Sequence, residues 1–154
     1  MGSRFPIIFR FSQWKTGHYD AKLAYTPEEL EAFLAPLTDA GVDIFDCSTR
    51  RFWEPEFEGS RLNLAGWTRK LTGKPTISVG SVGLKGDFTN AFDGGPEAEA
   101  ASVEPLVERL KAGEFDLIAV GRALLADAEW AEKIRHAREK EIHLFTKEDL
   151  KTLK

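Results

Sequence analysis

An α/β fold of four strand–helix units is what this sequence predicts, on three observations. Three stretches share one grammar: an amphipathic helix, a glycine, then a short apolar run. A fourth apolar run, Phe5-Pro6-Ile7-Ile8-Phe9, comes before them all. The resulting alternation of strands and helices implies parallel pairing through right-handed crossovers. The chain has 154 residues. That is enough for one domain with a sizeable core, and well short of the roughly 250 residues of a closed (β/α)8 barrel.

Taken in order, the first strand is Phe5 to Phe9, leading out through Arg10-Phe11-Ser12. Thr26-Pro27-Glu28-Glu29 then offers a cap hydroxyl, a first-turn proline and a glutamate to answer the cap. The helix it opens runs from Glu28 to Ala40 and closes at Gly41, before the second run Val42-Asp43-Ile44-Phe45. A second helix, Leu62 to Thr72, closes at Gly73 before Lys74 to Val79. A third, Val103 to Ala112, is capped by Ser102, tolerates Pro105 in its first turn and closes at Gly113 before Glu114 to Val120. Glycine just past a helix takes the left-handed conformation at little steric cost. The apolar runs are short and β-rich, as in strands covered on both faces. A fourth helix is expected from Arg122 to about Arg138, and Thr146 starts a short terminal one. The segment from Gly80 to Ala101 reads as a loop with no firm pattern.

Four βα units make half a (β/α)8 barrel and leave two open sheet edges, which are normally covered. Either the strands rearrange into a small open, flavodoxin-like sheet, or another half closes the barrel: a different chain or a second copy of this one. Met1-Gly2-Ser3 abuts the first strand and reads as an appended start. Residues 1–4 are therefore set apart from a single domain at 5–154.

Composition excludes several functions. There are 21 basic and 25 acidic residues, for a net charge of −4, and no basic stripe to neutralise a nucleic-acid backbone. The single cysteine, Cys47, excludes an internal disulfide framework and a cysteine-rich zinc site. His18, His136 and His143 are scattered without metal or triad spacing and are expected at the surface. No apolar run approaches the roughly 20 residues that span a membrane. The N-terminus lacks a signal-peptide layout, so a cytoplasmic protein is expected. No Walker loop, nucleophile elbow or dinucleotide fingerprint is present.

In parallel α/β folds chemistry collects at the C-terminal strand ends. There the third strand ends in Gly80-Ser81-Val82-Gly83 and the fourth in Gly121-Arg122. Small residues let backbone N–H groups approach an anion, and arginine can grip two phosphate oxygens. The same glycines would also serve if they only permitted tight turns. Arg10 tops the first strand, as a surface arginine or a partner for Asp46, or else as a cation awaiting an anionic or polar ligand edge. The connector Arg50-Arg51-Phe52-Trp53-Glu54-Pro55-Glu56-Phe57 sets aromatics beside arginines, where they wall a pocket or fold onto the rim. Cys47 is expected to be a core thiol, and the cluster Glu54, Glu56, Glu58 to be solvated.

Four segments together resemble the C-terminal half of the old yellow enzyme family, the NADH:flavin oxidoreductases. They are Phe9-Arg10-Phe11-Ser12-Gln13-Trp14, Ser48-Thr49-Arg50-Arg51-Phe52-Trp53-Glu54-Pro55, Ser78-Val79-Gly80-Ser81-Val82-Gly83 and Gly121-Arg122-Ala123-Leu124-Leu125-Ala126-Asp127. The resemblance runs from about Phe5 to the end. It implies a parallel-sheet half-barrel with outer helices, supplying strands five to eight of an FMN-binding (β/α)8 domain. It implies that Arg10 meets the flavin pyrimidine edge, where positive charge favours the reduced anion. It further implies that Gly80, Ser81, Val82, Gly83, Gly121 and Arg122 hold the FMN phosphate, and that Phe52 and Trp53 border the substrate pocket. The implied activity moves hydride from NADPH or NADH through FMN to an activated alkene, a small molecule. The implied partner is an N-terminal half, since no catalytic acid or carbonyl clamp falls in this half. Ala128 stands where relatives often carry proline. The alternative is a non-catalytic half-barrel scaffold that pairs with itself or another half and still holds phosphate or FMN.

Overall fold

The computed structural model describes residues 5–15, 17–18, 20–85 and 100–151. The expected stub at 1–4 and most of the loop between Gly80 and Ala101 lie outside the described residues. The chain divides into two compact units, Met1–Gly80 with Pro105–Ala119, and Ser81–Glu104 with Val120–Lys154.

The first unit carries the sheet. Its strands are β1 (Ile8–Ser12), β2 (Ile44–Ser48), β3 (Thr76–Val79) and β4 (Leu117–Ile118). They pair in parallel in the unbroken order β1-β2-β3-β4. Three helices accompany them: α1 (Pro27–Asp39), α2 (Leu64–Thr72) and α3 (Glu104–Lys111). Each helix lies where the sequence predicts one, with local chemistry setting its ends. Thr26 accepts a hydrogen bond from the Glu29 N–H at 3.2 Å, and Pro27 opens α1. Glu29 answers the Tyr25 N–H at 2.7 Å, one residue earlier than a capping box requires. Gly73 closes α2 in the left-handed region at φ 65°, donating its N–H to the Arg69 carbonyl.

The strands start later than expected. β1 begins at Ile8 rather than Phe5, because Pro6 has no N–H to give a ladder. Ile7 instead makes the entry bridge: its N–H donates to Asp43 Oδ2 at 2.8 Å, and its carbonyl accepts from Asp43 and Ile44. That bridge starts the register at Ile8 opposite Ile44 and moves β2 two residues on from Val42. β4 shrinks to two residues, since Glu114, Phe115 and Asp116 are used for packing and side-chain bonds.

Strand alternation divides the sheet into two unlike faces. Phe9, Phe11, Phe45, Cys47, Thr76 and Ser78 share one face through the register, and all but Phe9 are buried. Helix α1 lays Phe33 against Phe9 and Phe11, with ring centroids 6.5 and 5.6 Å apart. Ile8, Arg10, Ile44, Asp46, Ile77 and Leu117 share the other face. There Ile8 is 54% and Leu117 50% exposed, so apolar side chains meet solvent. The expectation of strands covered on both faces holds for only one of them. Cys47 lies on the covered face and is fully buried, and burial pushes its thiol up to about 12. A thiol reagent at pH 8 is therefore expected to label Cys47 only after unfolding. Prompt labelling of the native chain would contradict this packing.

The second unit holds α4 (Arg122–Ala126) and α5 (Trp130–Arg135), followed by 3₁₀ turns at Glu139–Glu141 and Lys147–Leu150. The single helix expected from Arg122 to about Arg138 is broken at Asp127. Asp127 leaves the helical region, at φ −139° and ψ 101°, and its carboxylate collects donors. It accepts from Lys133 Nζ at 2.7 Å, the His143 N–H at 2.9 Å and the Glu129 N–H at 3.1 Å. The Lys133 bond first, with the two backbone donors, holds the Asp127 carboxyl below its usual range. A depressed carboxyl stabilises the fold above its unfolded pKa, near 3.9, and that contribution is lost as pH falls through the lower folded value. Asp127→Asn is expected to cost roughly 2 kcal/mol at neutral pH, because it breaks a shielded ion pair. Urea midpoints of the two proteins should draw together as pH falls below about 4 and meet only below the lower folded value. A gap that persists there would remove the charge argument.

Candidate functional site

In the first unit, β1, β2 and β3 deliver the expected residues at their C-terminal ends. Arg10 is two-thirds exposed on the uncovered face. Its Nε donates to Ser48 Oγ at 2.7 Å and lies 3.7 Å from Asp46 Oδ2. The expected pairing with Asp46 is therefore present, and it orients the guanidinium rather than burying it. The other Asp46 oxygen, Oδ1, is buried without a hydrogen-bond partner.

Gly80 ends β3 at φ 148°, a conformation L side chains rarely adopt. A Cβ there would sit 2.5 Å from Thr49 Oγ1 and 2.6 Å from the Thr49 carbonyl oxygen. Glycine is required because two strand ends touch. Thr49 ties itself to Val79 by its N–H at 3.0 Å and its hydroxyl at 2.6 Å. Phe52 closes the same corner, its N–H donating to the Gly80 carbonyl at 3.2 Å. The structure thus brings Gly80 and the aromatic connector together.

The connector is anchored from below. Phe52 is buried, and Trp53 is 36% exposed with its ring edge-on to Phe52 at 5.0 Å. The Phe52 carbonyl accepts from Asn63 Nδ2 at 2.9 Å and Arg109 Nη1 at 3.0 Å, and the Trp53 carbonyl from Arg109 Nη2 at 3.1 Å. Glu114 completes this cluster, accepting from Arg109 Nη1 and the Asn63 N–H, both at 3.1 Å. Sequence reasoning missed Asn63, Arg109 and Glu114. Asn63 was findable: an asparagine just before Leu64 is an N-cap signal, and it accepts from the Gly66 N–H. Nothing local marks Arg109 or Glu114.

A cavity of about 190 Å³ opens beside the connector, lined among others by Gln13, Lys22, Arg50, Arg51 and Glu56. Glu56 is not solvated as expected. Its carboxylate is mostly buried, accepting from Gln13 Nε2 at 2.9 Å and from Lys22 Nζ at 3.4 Å. Burial raises its pKa, an effect that Lys22 and Gln13 partly offset. Glu54 and Glu58 are exposed, and Glu54 pairs with Arg51 at 2.6 Å.

In the second unit, the β3 exit continues as Ser81 at φ 50°, Val82 buried, and Gly83 at φ 71°. A non-glycine residue at positive φ is uncommon, and such strain concentrates at functional turns. Gly83 has a packing reason as well: a Cβ would lie 3.0 Å from the Trp130 ring. Gly121 caps α4 with no side-chain cap bond, and a Cβ there would meet nothing within 4 Å. Arg122 follows, its guanidinium 5.9 Å from the centre of the Phe145 ring. The backbone at Gly121 is thus open on the side a Cβ would occupy, and Arg122 is the next residue along the chain. His143 has a partner that its spacing did not suggest, with Nε2 3.2 Å from the buried Asp149 carboxylate. His18, His136 and His143 are all exposed, as expected.

Together the two units define a small α/β protein with an all-parallel four-stranded sheet and conformationally special turns at its strand ends. The chain is similar to the NADH oxidase of Thermoanaerobacter brockii, 30% identical over 152 residues, which is 92% of this chain and 20% of that protein. This distant likeness supports a relationship to oxidoreductases. The chain spans about a fifth of the relative's length. No family model matches. Among the described residues no helix is long and apolar enough to cross a membrane.

Proposed function

We propose that this chain is the FMN-phosphate-binding half of an old-yellow-enzyme-type oxidoreductase, completed by an N-terminal half-barrel. The observation that carries the reading is the NADH oxidase likeness, which runs along nearly the whole chain. The sheet supports it. A doubly wound, flavodoxin-like sheet reverses its strand order and covers both faces. Here the order runs straight through and one face keeps Ile8, Ile44, Ile77 and Leu117 turned away from the core. Branched apolar residues are what fill a barrel interior.

In this reading Ser81, Val82, Gly83, Gly121 and Arg122 hold the phosphate, with Gly80 setting the exit from β3. Arg10 commits its Nε to Ser48 and offers the rest of its fork to the flavin pyrimidine edge. Phe52 and Trp53 border the pocket for an alkene. FMN, when bound, supplies hydride transfer from NADPH or NADH to that alkene. The complementary half brings the carbonyl clamp and the proton donor. The test is to purify the chain with and without an N-terminal half-barrel and record flavin absorbance and NADPH oxidation. A yellow, active pair is expected, with flavin lost on Arg122→Ala. A colourless, inactive pair overturns the proposal.

A second reading is favoured by the exposed Ile8 and Leu117 alone: a non-catalytic half-barrel that pairs with another copy of itself. It predicts a dimer by light scattering, and a stable monomer rejects it.

A further inference from the structure

We propose that Arg109 is the positioning residue of the aromatic connector, presetting the backbone that carries Trp53. The inference rests on the reading that this connector borders the substrate. Arg109 lies in the last turn of α3, far from the connector in sequence, and its side chain is 14% exposed. One guanidinium donates to two consecutive carbonyls, those of Phe52 and Trp53, while its charge is matched by Glu114. Asn63 adds a second bond to the Phe52 carbonyl, and the Gly80 carbonyl takes the Phe52 N–H. Both backbone polar groups of Phe52 are therefore fixed, and the carbonyl that orients Trp53 is fixed with them.

Trp53 gains little from this by burial, since it remains 36% exposed. Chain connectivity alone does not need a buried cation under an exposed tryptophan. A flat, part-exposed ring on a pinned backbone suits a planar apolar ligand, because the ordering cost is met before binding. Only arginine meets these acceptors together. Its planar fork reaches two carbonyls and a carboxylate at once, whereas lysine is a point donor on a flexible stem. On the outer side, Arg51 and Glu54 close the same turn with a 2.6 Å ion pair.

Two variants test this in the full chain. Arg109→Lys keeps the charge beside Glu114 but loses the fork. Arg109→Met combined with Glu114→Gln removes both charges while the amide oxygen still accepts from Asn63, so no carboxylate is left buried alone. Hydrogen exchange followed by mass spectrometry should show the amides of residues 52–54, 56 and 57 opening about tenfold faster in both variants, with β1 and α1 amides unchanged. In the chain reconstituted with its complementary half, KM for 2-cyclohexen-1-one should rise several-fold in Arg109→Lys, with NADPH-driven flavin reduction unchanged. Unchanged exchange at those connector amides, or a uniform rise over the whole unit, overturns the positioning role. A freed connector with an unchanged KM overturns the substrate clause. If the reconstituted pair takes up no FMN, the oxidoreductase reading falls and the substrate clause with it. The exchange result still decides the anchor.

Discussion

Gly80→Ala should cost the sheet unit about 3 kcal/mol or more, which is large against the whole stability of a small domain. The methyl group would arrive 2.6 Å from a backbone oxygen, that of Thr49, which no rotamer change can relieve. The φ of 148° adds strain for any L side chain. The Thr49 oxygen cannot retreat cheaply, because the Thr49 N–H and hydroxyl are both bonded to the Val79 carbonyl. Separating these groups would part β2 from β3 at the end where the connector attaches. The measurement is the urea midpoint with near-ultraviolet circular dichroism. A midpoint equal to the parent's would mean that the strand ends are not in contact in solution.

Glu114→Ala should be the other severe change, at roughly 3–5 kcal/mol, because it removes one member of a shielded ion pair. The Glu114 side chain is 4% exposed and the Arg109 side chain 14%. Without the carboxylate, a cation stays in the interior facing only carbonyls, and the Asn63 N–H loses its acceptor. Glu114→Gln should cost less, about 1–2 kcal/mol, since its amide oxygen still takes the Asn63 bond. The difference between the two variants measures how much of the effect is the emptied site and how much the charge. Equal losses for alanine and glutamine would mean that the Asn63 bond contributes nothing. A loss below about 1 kcal/mol for alanine would mean that the cluster is solvated.

Much of the fold was legible from local signals. Thr26-Pro27 and Ser102 mark helix starts because capping needs a particular side chain at a particular backbone position, and both bonds are made. Gly73 is visible because a left-handed helix end strongly prefers glycine. The break at Asp127 was not legible from helical periodicity. Its cause is the Lys133 and His143 groups gathered on the Asp127 carboxylate, the latter 16 residues away. The strand starts were missed because β pairing is decided by partners: Ile7 is set by Asp43, and Leu117 by Ile77.

The candidate site divides in the same way. Gly80, Gly83, Gly121 and Arg10 stand out in the sequence as glycines and a cation at the ends of apolar runs. Those types follow from backbone freedom and charge, which single residues carry. The burial of Glu56 escaped sequence reading, because it depends on Gln13 and Lys22 arriving from another strand end. Arg109 and Glu114 escaped it too, being an ordinary helix arginine and an ordinary glutamate beyond Gly113 until the fold brings both to the Phe52 and Asn63 backbone.

The sequence by itself determined the alternation of strands and helices, the helix ends and the glycine turns, since each is a contest among neighbours a few residues apart. Only the tertiary structure decided where pairing begins, which sheet face is left open and which cation holds the aromatic connector. Those outcomes depend on desolvation and on acceptors supplied from more than 50 residues away, as with Arg109 and Phe52.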